Sequence, residues 1–303
     1  MRDELRTRMM SKSSAGAQPA GVSAIVGRTV GRRVEKSRGR ILKVPRKASS
    51  AELAAWQVGI VVAIFGLWQL GASLGWVNVF FWSEPSLIWQ KAVVFLQKGD
   101  AYTDTWYTVS ATLLGFVYGT VGGAVIGLSF WWSRTYATVA QPFVIVFHAI
   151  PKFALAPLVV LVFGIGMPSK VAMGVALTIV VTILTTFAAV RAVDQDSERL
   201  MYSLGASRFQ VFTKLVVPSV MPWIIASLRV NIGLALAGAI VGEFISSEHG
   251  LGRAILYAGQ VYDIALIWVG VIILSVVAVL MYVAVAGLER VLLRGFMHGA
   301  SFQ

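Results

Sequence analysis

The 303-residue sequence contains no cysteine, which excludes disulfides, thiolate metal sites and a cysteine nucleophile. Charge is scarce: Asp, Glu, Lys and Arg make up 13% of the chain, about half the share of an ordinary soluble domain. None of the 29 glycines is followed by lysine, so the chain has no Gly-x-x-x-x-Gly-Lys-[Ser/Thr] phosphate loop. The three histidines, His148, His249 and His298, are scattered, with no carboxylates at ligand spacing, which argues against a metal site. No nucleophile, base and orienting acid are placed for catalysis. The sequence therefore reads as a chain that is not an enzyme and holds no cofactor of its own.

What is present is apolar. Hydrophobic residues make up 57% of the chain, and the mean hydropathy is +0.76. Runs with little or no charge occur at residues 56–76, 109–132, 137–163 (Lys152 excepted), 171–190, 222–241 (Arg229 excepted) and 264–288. A helix needs about 20 residues to cross a hydrocarbon core about 30 Å thick. The runs are continuous rather than alternating, so they predict helices and not the strands of a barrel. The expected fold class is all-α, a polytopic membrane protein with about six transmembrane helices.

The formal net charge of +12 is unevenly placed, with thirteen of the 26 Lys and Arg residues in the first 47 positions against only Asp3, Glu4 and Glu35. That bias predicts a cytoplasmic N-terminus. Six crossings return the C-terminus to the same side, and the basic residues Arg191, Arg199, Arg208 and Lys214 after the fourth helix fall there too. Residues 1–50 read as a basic, disordered tail lying on anionic lipid rather than binding nucleic acid. No apolar run follows the early arginines closely enough for a secretory signal. Residues 51–82 are expected to hold the first transmembrane helix, peripheral to the rest, and an external connection. There Ser83 is the predicted cap of a short helix opening on Pro85. The main transmembrane domain is expected over 83–295, with a short tail at 296–303.

Gly115, Gly119, Gly123 and Gly127 form an uninterrupted Gly-x-x-x-Gly ladder, a groove for close approach of another helix in this chain or in a second copy. The third run carries Pro142, Pro151 and Pro157, so it is expected to break. It is either a kinked packing helix or, as interrupted membrane helices often do, part of a pathway. Candidate pathway or gate residues are His148, Pro151 and Lys152 on that run, with Arg229, Asn231 and Glu243 on the fifth. Arg229 is near enough to one end to reach the interface and act as an anchor.

Between the fourth and fifth runs lies a polar insert, residues 191–222. Asp194 or Asp196 is placed to cap a first short helix, with Glu198 favourable in its first turn. Gly205 stands where that helix would end in a residue of positive φ. Ser207 and Gln210 have the spacing of a capping box that opens a second helix, which carries Phe209, Phe212, Leu215 and Val216 and should stop near Pro218. A stiff bracket of this kind can receive force from a motor that the chain itself lacks.

The run Ser203-Leu-Gly-Ala-Ser-Arg208, followed by Leu215 and Pro218, resembles the "EAA" loop of permease subunits of binding-protein-dependent ABC importers. In that register Gly205, Leu215 and Pro218 match. The EAA triplet position holds Arg199-Leu200-Met201, and Glu198 lies one residue early. Ala149-Ile-Pro151, the run from Phe163 to Lys170, Val190-Arg-Ala-Val-Asp194 and Gly250-Leu-Gly252 extend the resemblance over about residues 83–295, nearest the nitrate, sulfonate and taurine branch.

The resemblance implies a type I importer fold in the bacterial inner membrane, with a second permease copy, two ABC ATPase subunits that bind ATP and Mg, and an external solute-binding protein. It implies that Asp194, Glu198, Arg199, Ser203, Gly205, Ala206, Ser207, Arg208, Leu215 and Pro218 couple to the ATPase. The expected solute is a small anion such as a sulfonate, taurine or nitrate, the alternative being another small organic solute such as an aromatic carboxylate or a pyrimidine. An ATPase-independent secondary transporter would call for midplane titratable residues and an internal repeat, and neither is found.

Overall fold

The computed structural model describes residues 49–300, and the expectations for the basic tail before residue 49 and for residues 301–303 lie outside them. The chain divides into two compact units after Val62. In the first unit, Ser49 and Glu52 open helix α1 (Ser50–Ser73) with a reciprocal cap. The Ser49 amide donates to Glu52 Oε2 at 2.8 Å, and the Glu52 amide to Ser49 Oγ at 3.2 Å. Two orphan donors of the helix start are thereby satisfied.

The second unit continues α1 and adds a short α2 (Val79–Trp82), α3 (Pro85–Gln97), and the long α4 (Asp100–Ser129), which ends in a 3₁₀ turn at Phe130–Trp132. Then come α5 (Arg134–Ala149), a 3₁₀ turn at Lys152–Leu155, α6 (Ala156–Phe163) and α7 (Met167–Arg191). The chain closes with α8 (Gln195–Ser203), α9 (Arg208–Val211), a π turn at Phe212–Val216, α10 (Val217–Ile245), α11 (Leu251–Gln260) and α12 (Ile264–Ala300). Among the described residues there is no strand. Among the described residues five helices are long and apolar enough to cross a membrane, six if α5 and α6, bent by 81° at their break, count as one span. The break falls at Pro151, between the two 3₁₀-flanked halves, because proline removes a donor and pushes the preceding residue, Ile150, into extended backbone.

The helix ahead of α4 starts differently from the sequence expectation. Glu84, not Ser83, is the cap of α3, and its carboxylate accepts from the Ser86 hydroxyl at 2.8 Å and not from a backbone amide of the helix. The free amide of Ser86 is instead satisfied by Gln69 Oε1 at 3.0 Å, from α1.

Helices α4, α7 and α10 pack most closely and form the core. The glycine ladder of α4 meets α7 of the same chain. A methyl group at Gly115 would lie 3.0 Å from Gly174 Cα, and one at Gly123 would lie 2.6 Å from the Ile179 carbonyl oxygen. Backbones this close are what small residues give to helix pairs in lipid, where apolar burial supplies no drive. Midway along, Asn231 of α10 donates to Thr120 of α4 at 3.1 Å and to Thr182 of α7 at 2.8 Å, so one buried amide ties all three. Helix α12 covers α10 through Val285, which packs with Ile225, Leu228 and Ile232.

Candidate functional site

The insert begins where α7 ends. Asp194 caps α8, accepting from the amides of Asp196 at 3.2 Å and Ser197 at 3.1 Å. The Ser197 hydroxyl, 2.5 Å away, and then the two amides hold the Asp194 carboxyl below the usual aspartate range. A carboxyl lowered in the folded state stabilises it above the unfolded pKa, and that gain is lost as pH falls through the folded value. Protection of the Asp196 and Ser197 amides, measured as exchange relative to the intrinsic rate at each pH, is therefore expected to hold at neutral pH and to fall only below about pH 4.

At the other end of α8, Gly205 has φ +84°. Its amide donates to the Tyr202 carbonyl at 3.0 Å, and that of Ala206 to the Met201 carbonyl at 2.9 Å. These two bonds form a Schellman motif, which satisfies two of the last carbonyls of the helix. Ser207 then opens α9 with a full capping box: its side chain accepts from the Gln210 amide at 3.3 Å, while its own amide donates to Gln210 Oε1 at 2.7 Å. Asp194, Gly205, Ser207 and Gln210 thus do what their spacing predicts.

The second half of the insert departs from expectation. It does not stop near Pro218 but runs through the π turn into α10, so that Arg208–Ile245 is one 38-residue helix. Proline clashes with the carbonyl four residues before it, and for Pro218 that is Lys214, inside the π turn. The wider turn gives the ring room without breaking the helix.

The insert is seated on two residues that sequence reading did not single out, Trp131 and Trp132. The Arg208 guanidinium donates to the Trp132 carbonyl and lies over the rings of Trp131 and Trp132, at 5.5 and 5.3 Å. Phe212 packs against both tryptophans, at 5.5 and 5.4 Å. Adjacent tryptophans at the end of an apolar run, facing an arginine across a turn, were the available signal. Behind them Val211, Val216 and Val220 are fully buried, with Met201, Ala206 and Leu215 packed on the same cluster. Of the triplet, Met201 faces this cluster, Leu200 is exposed, and Arg199 is exposed and paired with Asp196 at 3.3 Å. Glu198 lines a cleft of about 500 Å³ together with Arg134, Gln141 and Arg191. Ser203 returns its hydroxyl to the Leu200 carbonyl at 2.8 Å.

The pathway candidates fall in three places. His148, Pro151 and Lys152 sit at the break of the bent span, where Lys152 Nζ donates to the His148 carbonyl at 3.0 Å. Arg229 is ion-paired with Glu289 of α12. Asn231 is in the core seam, and Glu243 is nearly inaccessible, 1% exposed.

Glu243 belongs to a buried polar junction at the end of the bundle opposite the insert. Its carboxylate accepts from Thr108 Oγ1 of α4 at 2.8 Å and from the Gly252 amide at 2.7 Å. Asp104 of α4 accepts from the Gly250 amide at 2.8 Å, and Thr108 Oγ1 from the Leu251 amide at 2.9 Å. Lys170 of α7, fully buried, donates to Ser169 Oγ at 3.2 Å and to the carbonyls of Ile165 and Ser246. The Gly250-Leu-Gly252 motif has its reason here. Gly250 has φ +119°, and a methyl group on it would lie 2.5 Å from both Glu243 carboxylate oxygens.

Residues 119–297 match the family described as "Binding-protein-dependent transport system inner membrane component". The chain belongs to that family. The permease is 30% identical over 258 residues to the riboflavin transport system permease protein RibX of Chloroflexus aurantiacus, covering 84% of this chain and 96% of the other. It is 32% identical over 215 residues to the formylaminopyrimidine transport permease protein ThiX of Halalkalibacterium halodurans, covering 69% and 86%. With the taurine transport system permease protein TauC of Escherichia coli the identity is 25%, covering 77% and 86%.

Among solved structures, the permease fold superposes on the MetNI methionine ABC transporter in an inward-facing conformation with a TM-score of 0.54 at 18% identity, covering 62% of this chain and 94% of that one. An ABC transporter involved in import of the acidic polysaccharide alginate gives 0.55 at 17%, covering 78% and 95%. The chain is thus a multi-pass ABC permease subunit and not itself an enzyme.

Proposed function

We propose that this permease is driven by separate ATPase subunits that push on the insert at residues 191–218, and that it passes a small solute by alternating access. The observation that carries this reading is the insert itself. It is capped at three points and packed from behind, yet it presents Leu200, Leu204 and Phe209 at 59, 78 and 64% exposure. An exposed apolar face on a polar, rigid device is a surface in want of a partner. Such a face would be expected to move as a body and drag α10, with which it is continuous.

The charge bias puts the insert and both termini in the cytoplasm, where ATP and Mg would be bound by the partner. A second copy of the permease is the natural companion: α5 buries none of its residues, and Phe143, Val146 and Phe147 lie open beside the break. A solute-binding protein would deliver cargo at the opposite end. For the cargo, a small anion such as a sulfonate, taurine or nitrate fits the branch that the sequence resembles. A flat nitrogen heteroaromatic is the second reading, favoured by the 30 and 32% identities to permeases named for riboflavin and formylaminopyrimidine.

The test is at Gly205, where an added methyl would touch nothing within 4 Å and the only demand is the positive φ. Gly205→Val should abolish capture of the ATPase subunit and solute-stimulated ATP hydrolysis, because a β-branched residue resists this conformation by at least about 1–2 kcal/mol. Gly205→Asn should keep most of both. Equal coupling in the two variants would sink the proposal.

A further inference from the structure

The ionisable groups Asp104, Lys170 and Glu243 are 4, 0 and 1% exposed, lie far along their helices from the insert, and have no part in the coupling surface. Their partners explain why they are kept. The first N–H groups of a helix have no acceptor within it, and here three in succession, those of Gly250, Leu251 and Gly252, find theirs on other helices. Asp104 and Thr108 of α4 take the first two, and Glu243 of α10 takes the third. The Thr108 hydroxyl is the hinge pin of the set, accepting from Leu251 and giving its proton to Glu243. A carboxylate against a helix start is also favoured by the helix dipole.

Lys170 extends the junction in the other direction. Its ammonium joins the carbonyl of Ile165, in the turn between α6 and α7, to that of Ser246, in the turn between α10 and α11. Lys170 thus ties the α6–α7 turn to the α10–α11 turn, beside the separate set that holds the start of α11.

We infer that Thr108 and Lys170, with Asp104 and Glu243, are positioning residues for transport, clamping α11 and the α6–α7 turn to the ends of α4, α7 and α10 so that this end of the permease shifts as one body. This rests on the ATP-driven reading above and adds to it the far end of the stroke. The face of α11 turned away from the clamp carries Arg253, Leu256 and Tyr257, all exposed. Loosening the clamp would let α11 move independently of the core helices, so that events at the two ends of the bundle lose their link.

The test uses the full permease assembled with its ATPase and binding protein in lipid. Thr108→Val keeps the shape and removes the hydroxyl's contacts with Glu243, the Leu251 amide and the Asp104 carbonyl, Thr108→Ser keeps the hydroxyl, and Lys170→Met keeps the stem and removes the ammonium. The readouts are assembly, basal ATP hydrolysis, and hydrolysis as a function of binding protein loaded with solute. Thr108→Val and Lys170→Met should assemble and retain basal turnover, while the maximal stimulated rate falls about tenfold, the change that removing one buried hydrogen-bonded group brings. The half-saturating concentration of binding protein should stay put, and Thr108→Ser should recover the rate.

An unchanged stimulated rate in both variants overturns the inference. So does a fall of basal and stimulated rates in equal proportion, or failure of both variants to assemble, since either marks a role in folding alone. If one variant fails to assemble, the other decides by the same criteria. An intact chain that shows no stimulated hydrolysis at all would refute the parent reading before any variant is made, and this inference with it.

Discussion

Gly238→Ala is expected to cost the permease its folded core, while Gly233→Ala, on the same helix, leaves it intact. The added methyl is identical, and the helical preference for alanine over glycine, up to about 1 kcal/mol, favours both changes equally. The surroundings differ. At Gly238 the methyl would lie 2.7 Å from the Met173 carbonyl oxygen and 2.8 Å from Gly174 Cα and N, all backbone atoms of α7. At Gly233 nothing lies within 4 Å. Side chains can turn aside, but two helix backbones in van der Waals contact can only separate, and the seam made by Asn231, Thr120 and Thr182 holds them together about two turns away. The cost should reach the upper part of the ~1–3 kcal/mol range for overpacking, or exceed it. The unfolding midpoint in detergent, together with the yield of monodisperse protein, measures it. Equal midpoints for the two variants would contradict the packing described.

The second large effect is expected at the Arg229–Glu289 pair between α10 and α12. Glu289→Leu leaves a guanidinium within an apolar span without its carboxylate, and Arg229→Leu leaves the converse. Unpaired charge in a membrane segment is costly, and breaking a pair is worse than removing it. Each single variant should lower folded yield strongly, and the double variant Arg229→Leu/Glu289→Leu should recover most of it. A double variant as poor as the two single losses added together would show that the residues act separately. The recovered protein then allows a second measurement: transport by the double variant tells whether the pair serves only to join α10 to α12.

What could be read from the sequence was local. Asp194, Gly205 and the Ser207–Gln210 box act within a few residues of themselves, so spacing alone predicts their bonds. The proline break of the α5–α6 span is equally local. The glycine ladder announced a close partner, but α7 carries no matching signal strong enough to name it, because Gly174, Thr178 and Thr182 are ordinary in an apolar run. The clamp at the far end was hidden for the same reason. Lys170 opens an apolar run and looks like an interfacial lysine, and Asp104 and Thr108 look like the polar start of a helix. Only their convergence on the amides of α11 gives them a purpose. Glu289 stood at the edge of the last run, where a carboxylate usually meets water. The π turn was missed because a Pro218 stop is the default reading, and a widened turn has no compositional mark.

That turn has a consequence for the spacing between insert and membrane. A π turn holds one residue more than the α-helix needs, so an extra position among Phe212–Val216 is taken up while the bracket keeps its azimuth around the axis of α10. Deleting one residue there would close the bulge into ordinary winding and leave the bracket's azimuth nearly unchanged, whereas deleting one from the regular winding of α10 just after it would swing everything before it by about 100°, the angle per residue of an α-helix. The Trp131 and Trp132 rings would then face the wrong side of the arm. The length of the regular helix that follows, more than the identity of any residue in it, sets which way the bracket faces.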